Sequence, residues 1–161
     1  MGNPDLISLV VPTRDGAFIA SYSASGLAAV EFPSGHKPAI AKTVPAKIRG
    51  WHKVTGAALK AALAGRTPKK LPPLDLSAGT AFQQRVWTVL RRIRCGRTLS
   101  YGEVARAVGK PGAARAVGGA CGANPIPVLV PCHRVLAANH KLGGFSGGLR
   151  WKRLLLGREG V

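Results

Sequence analysis

"SYGEVARAVGKPGAARAVGGAC", residues Ser100 to Cys121, decides how the second half of this chain folds. Ser100 and Glu103 stand three apart ahead of an apolar run, the spacing of a capping box in which two side chains satisfy free backbone N–H groups at a helix start. The short helix so opened carries Val104, Ala105 and Val108 and ends at Gly109. Lys110-Pro111-Gly112 then forces a tight turn, and a second helix runs from Ala113 to about Cys121. Two short helices across such a turn read as a helix-turn-helix. The second helix is nearly bare, with Arg115 the one long side chain among Ala113, Ala114, Ala116, Gly118, Gly119 and Ala120. A helix this smooth fits closely against a nucleic-acid backbone, but it lacks the several long polar side chains that read base edges. The pattern points to sequence-independent DNA contact through groove shape and phosphates, with Ala114, Gly118 and Gly119 at the close approach. Packing on a neighbouring helix would explain the small residues almost as well, but leaves Arg115 without a role.

The charge agrees with a polyanion partner. Lys and Arg number 24 against 6 Asp and Glu, a net charge of +18 that repels itself unless counter-charge accepts it. Residues 80–161 hold fourteen of the basic side chains and only two acids, so the second half is the expected polyanion surface. The apolar runs, such as Leu6 to Pro12, fall far short of the roughly 20 residues that cross a bilayer, and no membrane association is expected. An odd count of three cysteines, Cys95, Cys121 and Cys132, offers no framework of bridges, and no signal peptide is read at the start. A reducing, cytoplasmic setting is the expectation.

Upstream, Leu6 to Pro12, Ala17 to Ser23 and Leu27 to Phe32 are short strands separated by turn residues, the pattern of antiparallel hairpins. From about Pro45 to Leu63 the period turns helical and stops at Gly65. Arg66 to Gly79, with Pro68, Pro72 and Pro73, has the composition of a linker, which divides the chain into an amino-terminal lobe and linker, 1–79, and a mostly helical lobe, 80–161. Thr80 and Gln83 form another capping box, opening a helix whose apolar face is Phe82, Val86, Trp87, Val89 and Leu90. The fold class is α+β.

The chemistry is concentrated in Pro131-Cys132-His133-Arg134-Val135. A structural zinc site needs about four Cys, His or carboxylate ligands at short spacings, and no C-x-x-C pair exists. Cys95 and Cys121 have no histidine nearby in sequence and read as packing residues. A nucleophilic thiol needs a base or a positive field, which His133 and Arg134 are placed to supply beside Cys132. Adjacent side chains of an extended segment point opposite ways, so a bend or an intervening water is required. Pro131 and Asn124-Pro125-Ile126-Pro127 stiffen the approach and supply the means for a bend. Glu159, at the end of the last helix, is the candidate third group that orients the base.

Taken in order, Phe82-Gln83-x-x-Val86-Trp87, Ser100-Tyr101-Gly102-Glu103, Ala114-Arg115-Ala116-Val117-Gly118, Asn124-Pro125, Pro131-Cys132-His133-Arg134-Val135, Gly144-Phe145-Ser146-Gly147-Gly148 and Glu159-Gly160 resemble the O6-alkylguanine-DNA alkyltransferases, also called methylated-DNA-protein-cysteine methyltransferases. The first 79 residues resemble that family only in their sheet-then-helix pattern. The resemblance implies a ribonuclease-H-like amino-terminal lobe and a winged-helix-like helix-turn-helix. It implies double-stranded DNA containing O6-alkylguanine as partner, bound through the minor groove by a monomer, and it leaves open both O4-alkylthymine as a second substrate and cooperative assembly of several molecules on DNA. It implies direct, single-turnover repair, with the base flipped out of the duplex and its alkyl group moved irreversibly to Cys132. By the same carry-over His133 is the base acting through a water, Glu159 orients it, Tyr101 donates toward guanine N3, Asn124 braces the segment ahead of the cysteine, and Arg115 fills the space left by the flipped nucleotide. The carbonyls of Cys132 and Val135 accept from the guanine amine, and the Ser146 amide faces O6. No cofactor and no metal is implied.

Phe145 stands where many members have tyrosine, keeping an aromatic face but losing a hydroxyl, and Gly122 replaces an arginine found in some members. The zinc that some members bind needs amino-terminal cysteines, and this chain has none before Cys95. The alternative reading is a non-enzymatic alkyltransferase-like lesion binder, against which the presence of Cys132 speaks. A helix-turn-helix transcription factor would need a reading face that the alanine-rich helix does not offer.

Overall fold

A computed structural model describes residues 5–39 and 41–161. Three antiparallel strands, β1 (Ile7–Thr13), β2 (Gly16–Tyr22) and β3 (Leu27–Glu31), form a sheet in chain order. Each begins or ends within a residue of the sequence reading. The first turn is closed by Thr13, whose hydroxyl donates to Gly16 O at 2.7 Å, drawing both residues into the ladder as the last pair. β2 is central and carries the buried Phe18, Ile19, Ala20 and Tyr22. Helix α1 (Ala46–Leu63) follows, with Ile48, Thr55, Ala58, Leu59, Ala62 and Leu63 on its buried face. Removing a side chain the size of Leu59 from water contributes roughly 1.5–3 kcal/mol.

The proline-rich stretch after α1 is docked along the sheet. Leu27 N donates to Pro73 O and Asp75 N to Leu27 O, both at 2.8 Å, so residues around Leu74 bridge β3 in parallel. Proline suits this edge, where its carbonyl accepts and its missing N–H is not needed. The sheet also meets the second half directly, through Val30 N to Pro125 O at 2.9 Å. Arg158 clasps Asp15 with two 2.8 Å bonds and reaches Leu63 O at 2.8 Å.

The second half comprises α2 (Ala81–Leu90), β4 (Leu99–Ser100), α3 (Tyr101–Ala107), α4 (Ala114–Gly122), a 3-10 turn at Cys132–Arg134, β5 (Val135–Leu136), a second short 3-10 turn at Ala138–His140 and α5 (Leu149–Arg158). Both expected capping boxes form, Thr80 with Gln83 and Ser100 with Glu103. The second helix of the pair begins one residue later than the sequence indicates, because Ala113 is its cap and has no side-chain oxygen to serve there. Trp87 locks α2 to α4 by donating its indole N–H to Ala120 O at 2.8 Å in the core. The two-residue strands β4 and β5 pair in parallel, Leu99 with Val135 and Ser100 with Leu136, which fixes Tyr101 beside the end of the Cys132 turn. Among the described residues no helix is long and apolar enough to cross a membrane.

Candidate active site

Cys132, Tyr101, Arg115 and Phe145 meet at a cavity of about 450 Å³. α4 forms one wall with Ala114, Arg115, Gly118, Cys121 and Gly122, and the loop before α5 forms another with Gly144, Phe145 and Ser146. Cys132 is only 4% exposed, yet it lines this cavity. The expected bend is the 3-10 turn, which replaces the extended path that would have separated Cys132 from His133.

Behind the cysteine lies a buried chain of polar groups. His133 Nε2 is 2.8 Å from Glu159 Oε1, and Glu159 also accepts from Arg134 Nε at 3.0 Å and Arg134 Nη2 at 2.9 Å. Arg134 spends its third bond on Ile93 O at 2.6 Å. Burial alone would raise the Glu159 carboxyl, but hydrogen bonds from His133 and Arg134 overcome it and hold the group at about 2. A carboxylate only accepts, so Nε2 of His133 must carry the proton and Nδ1 the basic lone pair. Nδ1 is buried and, among the described residues, has no hydrogen-bond partner. Burial keeps the imidazole below its ordinary value, against the pull of Glu159, so the ring is neutral with its Nδ1 lone pair unprotonated.

Burial pushes the Cys132 thiol up, opposed by hydrogen bonding from Asn124, the charge of Lys152 and backbone hydrogen bonds of the turn. Asn124 braces the same segment in two further ways, Nδ2 donating to Val130 O at 2.8 Å and Oδ1 accepting from Ile126 N at 3.0 Å. Cys121, read from sequence as a packing residue, faces the same cavity, but burial pushes its thiol up to about 12 and it stays protonated.

Lys152 was not singled out by the sequence reading. Its side chain is fully buried, Nζ donates to Val135 O at 2.6 Å and Gly144 O at 3.2 Å, and it lies 6.0 Å from the Tyr101 ring centre. Burial lowers its affinity for a proton, and the nearby Cys132 and Cys121 oppose that. The signal was present in the helical period: Lys152, Leu155, Leu156 and Glu159 fall at i, i+3, i+4 and i+7 on one stripe of α5.

Tyr101 sits against the 143–144 loop. A Cβ on Gly143, whose φ is +68, would come within 2.8 Å of the Tyr101 hydroxyl, so only glycine allows this approach. Likewise a Cβ on Gly147 would strike the Phe32 ring at 2.5 Å, and Phe32 in turn meets Phe145 edge-on at 5.7 Å between ring centres. The amino-terminal half thereby props the aromatic wall of the cavity. Val135 is fully buried beneath the turn, outside the cavity lining, and Gly119 lies exposed on α4.

Residues 81–161 match the family described as 6-O-methylguanine DNA methyltransferase, DNA binding domain. A methylated-DNA--protein-cysteine methyltransferase of Salmonella typhimurium is 54% identical over 84 residues, 52% of this chain and 49% of the relative. One from Mycobacterium tuberculosis is 54% identical over 101 residues, 63% of this chain and 61% of the relative. The chain thus spans about half the length of the first of these relatives. The crystal structure of Mycobacterium tuberculosis OGT in complex with DNA superposes with a TM-score of 0.75 at 38% identity, covering 93% of this chain and 90% of the other.

Proposed function

The chain belongs to the 6-O-methylguanine DNA methyltransferase family, and from that premise we propose that it repairs O6-alkylguanine in duplex DNA by moving the alkyl group onto its own Cys132. One observation carries the reading. Cys132 opens onto a cavity while its neighbour His133 is held by Glu159 in the tautomer that leaves a buried lone pair free.

α4 enters the minor groove, where Ala114, Gly118 and Gly119 allow close approach and exposed Arg115 occupies the place of the extruded nucleotide. The flipped base lies in the cavity against Phe145. Cys132 O and Val135 O accept from its exocyclic amine; each already accepts one bond, from Val135 N and Lys152 Nζ respectively, and a carbonyl has a second lone pair. The Ser146 amide faces O6. His133 Nδ1 takes the thiol proton through a water, and the sulfur lone pair forms the new S–C bond as the C–O6 bond breaks. The electron pair of that bond passes to the purine while Tyr101 donates a hydrogen bond toward N3, and the proton taken up by His133 returns through water to the purine, so that guanine leaves protonated on its ring nitrogen and Tyr101 and His133 both end neutral. The products are guanine and a thioether, which has no leaving group, so each molecule reacts once.

Intact-mass analysis after incubation with an O6-methylguanine duplex tests the proposal. The expected result is a gain of one methyl group per chain, absent in Cys132→Ala. Binding without any mass gain would identify a lesion binder and defeat the assignment, as would a gain that survives Cys132→Ala.

A further inference from the structure

We propose that a second hollow, on the far side of the Cys132 turn, docks an acidic protein segment that carries an apolar anchor. This hollow measures about 490 Å³. Its floor is apolar, built from Ala62, Ile93, Val128, Leu129 and Pro131, with Leu71 at its edge still 39% exposed. Arg91, Arg92 and Arg94 stand around it, all three exposed. Pro131 and Arg134 line this hollow while Cys132 lines the cavity in front, so the turn is a shared wall.

Charge complementarity identifies the occupant. No acidic residue lines the hollow, and among the described residues none of the three rim guanidinium groups enters an ion pair. The two acids of residues 80–161 are committed elsewhere, Glu159 to His133 and Arg134, and Glu103 to Ser100 N. Three cations set along four residues call for several carboxylates in a row, and an apolar floor beside them calls for a hydrophobic side chain among those carboxylates. Single-stranded nucleic acid fits less well. Such strands are held by bases stacked on aromatic side chains, and no aromatic residue lines this hollow. A duplex, being convex, would touch the arginine rim and leave the apolar floor unfilled.

Val128 adds a second mark. Its φ is +74, in the left-handed region that β-branched side chains avoid, and it lies in the floor four residues ahead of Cys132. Strained backbone of this kind persists where the surroundings over-determine it, and it clusters at ligand clamps.

Fluorescence anisotropy with the full chain, at about 0.15 M salt to suppress non-specific attraction, tests the proposal. The probe is a labelled hexapeptide, Asp-Asp-Leu-Phe-Glu-Asp, and its control replaces Leu-Phe by Ser-Ser. Saturable binding of the first peptide is expected, with the control weaker by about tenfold or more. The triple change Arg91→Ala, Arg92→Ala, Arg94→Ala and, separately, Leu71→Asp should each weaken the probe by about tenfold or more while methyl acceptance is retained. Retained methyl acceptance reports correct folding, and the Arg115→Ala variant should bind the peptide unchanged. Equal binding of the two peptides, or indifference to both variants, overturns the proposal. A loss of duplex affinity in the triple variant as large as its loss of peptide affinity also overturns it, in favour of a DNA contact.

Discussion

Replacing Glu159 by Gln removes a charge from a side chain that is 2% exposed while keeping its size and its ability to accept a hydrogen bond. In the folded protein the carboxyl sits at about 2 against an ordinary 4.5. At roughly 1.4 kcal/mol for each tenfold, that difference corresponds to about 3 kcal/mol of stability. The sign follows from proton uptake. Between about pH 4.5 and pH 2 the unfolded chain holds a proton on this group that the folded chain lacks, so acid favours unfolding. The contribution is complete above about pH 4.5 and is lost as pH falls through the folded value. In Glu159→Gln it is missing at every pH, and the Arg134 guanidinium, 11% exposed, loses its counter-charge. Urea unfolding should therefore place the variant about 3 kcal/mol below the parent at pH 7, with the gap narrowing to about 1 kcal/mol at pH 3. Stability curves that run parallel over that range would refute the reasoning, because they would mean that the carboxylate's partners do not hold it ionised.

Lys152→Met should push the Cys132 thiol further up, since the ammonium's field opposes the effect of burial. The rate of reaction with a soluble O6-alkylguanine base should fall about tenfold at neutral pH, with its pH profile moved upward and partly restored by Lys152→Arg; an unmoved profile counts against it. Arg115→Ala should weaken repair of duplex DNA more than reaction with the free base, because only the duplex requires extrusion, and equal losses in paired rate measurements would contradict this. Trp87→Phe leaves Ala120 O without its buried donor and should cost about 1–3 kcal/mol in chemical denaturation; a change under about 0.5 kcal/mol would show that α2 and α4 do not depend on that bond.

Local signals in the sequence were legible because they act over three or four residues. Ser100 with Glu103 and Thr80 with Gln83 start their helices as their spacing indicates, and the small residues of α4 leave Arg115 standing alone at the cavity. Long-range placement was less accessible. Nothing local shows that Pro73 will accept from Leu27, that Phe32 will prop Phe145, or that Tyr101 will rest on Gly143, since each contact depends on how the two halves or distant loops meet. The bend at Cys132 could be required by chemistry but not drawn, because a three-residue turn has no period to read. Lys152 is different. Its place on the apolar stripe of α5 was written in the sequence, and a cation at a core position is a legible anomaly once the stripe is registered through Leu155 and Leu156.

That stripe also explains how two opposite charges serve one proton transfer. In the resting state burial raises the thiol and lowers the imidazole, so Cys132 and His133 both stay neutral. Moving the proton creates a thiolate and an imidazolium in a medium where isolated charges are costly. Under the proposed chemistry neither is isolated: the thiolate forms within the field of Lys152 and the imidazolium on the carboxylate of Glu159. Both counter-charges come from α5 or its cap, seven residues apart, so one helix supplies the cation whose field reaches Cys132 and the carboxylate that holds His133. Under that proposal the two counter-charges stabilise the ionised pair, and burial favours the neutral one at rest. A thiol held permanently as thiolate would be open to oxidation and stray electrophiles, whereas on the proposed function one ionised only as the alkyl carbon arrives would reserve its single turnover for the lesion.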